Sequence, residues 1–131
     1  MLLTYNAETY TPKNVLDPEA IMTRVKAGFS WAQSNYPDRL ARVDADILRI
    51  ASGINCVGGQ MFTDEGFWLG FLEATGLTES QPCELGFNAG FKGWGDTREN
   101  WTKSEKLWRE EAAALTEAWQ QLLRGEVASD G

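Results

Sequence analysis

The sequence predicts an all-α protein, a single helical domain of four or five helices spanning residues 1–131, with an extended arm at 1–15 and a frayed tail at 126–131. Three observations carry this. A chain of 131 residues that is 43% hydrophobic can bury one core without staples. Apolar residues recur at three- and four-residue steps in several stretches. Helix start and stop residues flank those stretches, as in Asp17-Pro18-Glu19, Gly76 and Gly125.

The first stretch, MLLTYNAETYTPKN, is polar and aromatic without a helical period, and Pro12 discourages helix around it, so an extended arm or an edge strand is expected. Next, Asp17 reads as an N-cap, Pro18 as the first helical residue and Glu19 as a first-turn acid; Ile21, Val25, Phe29 and Ala32 then share a face up to Tyr36–Pro37. Between residues 38 and 55, Leu40, Val43, Ile47, Ile50 and Ile54 step by 3, 4, 3 and 4, and Asp38/Arg42 and Arg42/Asp46 are opposite charges four apart. This pattern predicts an amphipathic helix. CVGGQ breaks it, or else Ile54–Val57 and Gln60–Thr63 form a small hairpin about Gly58-Gly59. The last helix opens with Asp96 and Glu99 as an approximate capping box. Trp101, Trp108, Leu115 and Leu122 then recur every seven residues, with Ala112 and Trp119 between them, and Gly125 closes the helix. Glu105 on that seam suits the inside of a bundle better than a long coiled coil.

The middle of the chain repeats a frame, Gly-Phe-x-x-Gly-Phe, at Gly66–Phe71 and Gly86–Phe91. Thr63 or Asp64 can cap a helix in which Phe67, Phe71 and Ala74 step by 4 and 3 before Gly76; Ser80 can cap a second in which Phe87, Phe91 and Trp94 do the same before Gly95. Four helical glycines forgo roughly 2–4 kcal/mol relative to alanine. Burying one Phe returns about 1.5–3 kcal/mol, so the rings must be covered. Two coverings are open. One is an internal contact between the two helices. The other is a partner: Phe67, Trp68, Phe87, Phe91 and Trp94 as apolar anchors, rimmed by Asp64, Glu65, Glu73, Glu84 and Asp96.

Charge supports the second covering. Residues 60–96 hold six acids (Asp64, Glu65, Glu73, Glu79, Glu84, Asp96) against Lys92 alone, and no Lys or Arg occurs from Ile50 to Phe91. The net charge of −7 and a pI near 4.6 repel nucleic acid and anionic lipid and favour a basic protein surface as partner. No direct nucleic-acid or membrane contact is expected, and the chain should be a monomer or a weak homo-oligomer. The longest apolar run, GFWLGFL, is too short to span a membrane, and the start of the chain lacks a secretory pattern, so a cytoplasmic setting is expected.

Chemistry is sparse. Without histidine the usual neutral-pH proton shuttle is missing, and no glycine-rich phosphate loop is present. Cys56 and Cys83 stand 27 apart without a CxxC pair, which argues for buried, reduced thiols and against zinc. Asp44 and Asp46, two apart on the expected helix, would point about 200° apart and cannot share a substrate. No catalytic residue, metal site or cofactor is therefore expected. A small, acidic, histidine-free chain has the composition of a stoichiometric inhibitor, as in phage-type anti-defence (anti-CRISPR-like) or immunity proteins. Two alternatives are a cleft for a sugar or cationic ligand, bound or turned over, built on Trp31, Trp68 and Trp94, and an accessory subunit that packs through the Trp101–Leu122 helix.

Overall fold

Thr11 starts the first helix, α1 (Pro12–Val15), by accepting a hydrogen bond from the Asn14 N–H at 3.2 Å. Pro12 takes the first helical position, where a missing N–H costs nothing. The expected extended arm is thus helical at its end. The computed structural model describes residues 11–78, 80–90 and 98–127, so the remainder of the arm and the end of the tail lie outside the described residues. Among them, α2 (Pro18–Asn35), α3 (Pro37–Leu40), α4 (Val57–Met61), α5 (Phe67–Thr75), α6 (Gln81–Glu84) and α7 (Arg98–Leu123) follow, with a 3-10 turn at Thr63–Glu65 and no strand. The fold is all-α. Seven helices exceed the expected four or five because four of them are single turns.

Helix α2 begins and packs as its sequence predicts. The Asp17 carboxylate accepts from the Ala20 N–H at 3.0 Å, and Ile21, Val25 and Ala32 are buried. It packs against α7, whose Ala112, Leu115, Trp119 and Leu122 are buried while Glu105 is exposed. The heptad seam from Trp108 onwards is therefore covered within the chain; the Trp101 side chain lies outside the described residues. Gly125, at φ +75°, stops α7 as expected.

A buried ion pair ties these two helices to the segment after α6. Arg24 donates to Glu111 at 2.9 Å, to the Cys83 carbonyl at 2.8 Å and to the Asn88 carbonyl at 2.9 Å. Glu111, fully buried, also accepts from the Gly90 N–H at 2.6 Å. The Trp119 indole N–H donates to the Gly86 carbonyl at 2.7 Å. Segment 83–90 has little helix of its own, so its backbone polar groups are met by side chains of α2 and α7. Close approach there requires Gly28, because a Cβ at that position would overlap the Leu85 carbonyl oxygen.

The largest departure from expectation lies between residues 41 and 56, which form successive turns and no amphipathic helix. Buried Gln60, on α4, explains much of it. Its Oε1 accepts from the Asp44 N–H at 2.6 Å, and its Nε2 donates to the carbonyls of Asp44 at 3.2 Å and Asn55 at 2.9 Å. From α7, Thr116 Oγ1 accepts from the Ile50 N–H and Gln120 Nε2 donates to the Ala45 carbonyl, both at 2.9 Å. Backbone groups that a helix would pair internally are paired here by tertiary partners. The apolar stripe splits accordingly: Leu40 and Ile50 are buried and Val43 half-buried, whereas Ile47 and Ile54 are 50% and 56% exposed, and Leu48, off the stripe, is buried in their stead. Asp46 pairs with Arg124 at 2.7 Å in place of Arg42.

The hairpin alternative is also overturned. Residues Val57–Met61 are a buried helix, started by Cys56, whose Sγ accepts from the Gly59 N–H at 3.2 Å. Gly58 is needed there because the Phe71 ring lies against its bare backbone, so near that a Cβ would stand 2.7 Å from the ring.

Candidate partner-binding site

The two Gly-Phe-x-x-Gly-Phe frames meet inside the protein. Phe71 from the first and Phe87 from the second are fully buried, with ring centroids 5.1 Å apart. Phe71 also meets Trp31, Phe62 and Trp68, and Phe87 stacks on Trp119 at 5.4 Å. The second frame is not a helix beyond α6, since Gly86 takes φ +70° and sets its backbone against Val25 of α2. The internal covering therefore accounts for Phe71 and Phe87.

The first frame leaves a remainder on the surface. After α4 the chain passes through the 3-10 turn into two successive left-handed residues, Gly66 at φ +109° and Phe67 at φ +60°. For a bulky residue such as Phe67 this conformation costs about 1–2 kcal/mol. It is held by the Phe67 N–H donating to the Phe62 carbonyl at 2.9 Å and the Trp68 N–H donating to the Gly53 carbonyl at 3.1 Å. The sharp entry aims Phe71 inward and leaves Phe67 and Trp68 half-buried and Leu69 75% exposed. Glu73, one turn after Leu69, is exposed, as is Asp64 just before the helix; neither makes an ion pair among the described residues. Ile54 joins this corner through the 53–54 turn, bonded to Trp68.

Glu65 differs from its neighbours because it is already paired. Arg39 forks onto it at 2.8 and 2.9 Å, donates to the Met61 carbonyl at 3.1 Å, and lies 4.5 Å above the Phe62 ring. Hydrogen bonds from Arg39 hold the Glu65 carboxyl below the usual range against a smaller opposing effect of burial. A depressed carboxyl contributes stability that is present above its unfolded-state value and lost as pH falls through the folded-state one. Glu65→Gln should thus be less stable than the parent at neutral pH. The difference in midpoint should shrink on acidification, as thermal unfolding over an acidic pH series would show.

Of the ten residues expected from sequence to bind a partner, Asp64, Phe67, Trp68 and Glu73 stand together on the α5 corner. Glu65 is there too, engaged by Arg39. Glu84 sits half-buried on α6, whose packing partner is α2. Phe87 is 1% exposed, a core residue that no partner could reach, which corrects its place among the anchors. Phe91, Trp94 and Asp96 lie outside the described residues. Leu69 and Ile54 are the additions. Leu69 was legible as an apolar residue off the Phe67–Phe71 stripe, whereas Ile54 was hidden in the false helical period.

Other chemistry is thin. Cys56 and Cys83 are buried and form no disulfide, and burial pushes the Cys56 thiol up, away from the reactive thiolate. Among the described residues no cluster of metal-ligating side chains occurs, and no helix is long and apolar enough to cross a membrane. Trp31 and Trp68, candidate walls of the alternative ligand cleft, are half-buried and pack on Phe71. No protein-family model, no curated protein and no solved structure matches the chain.

Proposed function

We propose that this chain is a non-enzymatic binding protein whose α5 corner docks onto a basic surface of a partner protein. The observation that supports it is the exposed Leu69, beside half-exposed Phe67 and Trp68, flanked by the unpaired carboxylates of Asp64 and Glu73 in a span without any cation. Apolar anchors inside an acidic rim suit a partner with an apolar pocket ringed by Lys and Arg. Such a partner is itself suited to phosphates, so the chain acts as a stoichiometric inhibitor that puts carboxylates where phosphates would sit, in the manner of phage-type anti-defence (anti-CRISPR-like) or immunity proteins. Two buried thiols that form no disulfide suit a reducing compartment, and we take the cytoplasm as its setting.

The test is capture of a partner from the native host with the parent chain, followed by titration of that partner with variants. Leu69→Ser should raise Kd by about tenfold or more. Asp64→Asn with Glu73→Gln should weaken binding and flatten its dependence on salt. Unchanged affinity in both variants, or a captured partner with an acidic contact surface, would reject the reading.

A further inference from the structure

Away from the α5 corner, a groove of about 600 Å³ runs between α7 and the 49–51 turn, and three of the chain's 12 Lys and Arg residues line it: Arg49, Arg109 and Arg124. We infer that this groove binds a small oxyanion, a phosphate ester or carboxylate that also carries hydroxyl or amino groups.

The groove is a constructed feature of the fold. Thr116 and Gln120 bond the backbone at Ile50 and Ala45, so the turn that carries Arg49 is fastened opposite the middle of α7. Small side chains, Ala51, Ala112 and Ala113, leave the space open. Arg109 and Arg124 flank it, fifteen positions and roughly 22 Å of helical rise apart. Each is held by one carboxylate through a single Nη2, Arg109 by Glu105 at 2.8 Å and Arg124 by Asp46 at 2.7 Å. The remaining N–H groups of each fork have no bond to another described side chain. The Arg49 side chain, which lines the groove from the turn fastened to Thr116, makes no hydrogen bond or ion pair among the described residues. A guanidinium fork matches an oxyanion two bonds at a time. Glu117 and Glu126 also line the groove, and together with the carboxylates that hold Arg109 and Arg124 they leave it no positive excess, so Arg49 is its one uncommitted cation among the described residues. They would repel a bare polyanion and accept hydrogen bonds from hydroxyl or amino groups, which selects the mixed ligand. The volume lies in the range of small-molecule sites.

Two probes share a polyol and differ in the anion: glucose 6-phosphate and gluconate. Titrated at constant ionic strength and followed by backbone amide NMR, at least one should give saturable shifts centred on Arg49, Ala51 and Gln121. The probe that saturates identifies the anion. Arg49→Gln, which breaks no existing contact, should weaken that binding about tenfold. Arg42→Gln, the same charge change on the exposed surface elsewhere, should leave it unaltered. The inference is overturned if neither probe saturates, if the shifts follow surface cations indiscriminately, or if Arg49→Gln binds as the parent does.

Discussion

Glu111→Ala is expected to destabilise the protein by about 3–5 kcal/mol, because it leaves the Arg24 guanidinium charge uncompensated in a largely buried place. The Gly90 N–H loses its 2.6 Å acceptor in the same step. Glu111→Gln keeps an acceptor for that N–H and should cost less. Replacing both members with apolar residues should not restore full stability, since the carbonyls of Cys83 and Asn88 would lose the donors that Arg24 supplies. Urea unfolding of the three variants separates these contributions. A loss under about 1 kcal/mol for Glu111→Ala would mean that segment 83–90 is held by something other than this pair.

The second large effect is expected at Phe71. Its ring is wholly buried, touches four other aromatic rings and lies on Gly58, so Phe71→Ala should cost about 3–5 kcal/mol. That is a large share of the roughly 5–15 kcal/mol by which domains are stable. Leu69→Ala, two residues earlier on the same helix, should change stability by no more than about 0.5 kcal/mol, because Leu69 is 75% exposed. The contrast, read by denaturant titration of both variants, distinguishes the buried and exposed faces of α5. Equal losses would place Leu69 in a packed environment and remove the apolar anchor from the α5 corner.

Legibility differed sharply between elements. Helix α2 could be read to its cap, because Asp17, Pro18 and the Ile21–Val25–Ala32 stripe are local signals and the tertiary contacts agree with them. The same holds for α7, where the Leu115–Trp119–Leu122 seam faces α2 and Gly125 ends the helix. Residues 41–56 had an equally good period and are not helical. Their carbonyls and N–H groups are claimed by Gln60, Thr116 and Gln120, up to 75 positions away in the chain, and periodicity carries no record of such partners. The candidate site was half legible for a related reason. Its acidic excess is a property of composition, but whether a given ring faces inward or outward depended on the left-handed entry at Gly66 and Phe67.

By itself, then, the sequence determined the helical class, the two long helices with the Asp17 cap of α2 and the Gly125 stop of α7, and the cation-free middle, all of which depend on residues within a few turns of one another. Only the tertiary structure decided that Phe87 is core while Leu69 is surface, and that a regular apolar stripe becomes a series of turns. It did so because a buried backbone group takes whichever partner the packed chain supplies, and a side chain distant in sequence can supply it better than the helix would.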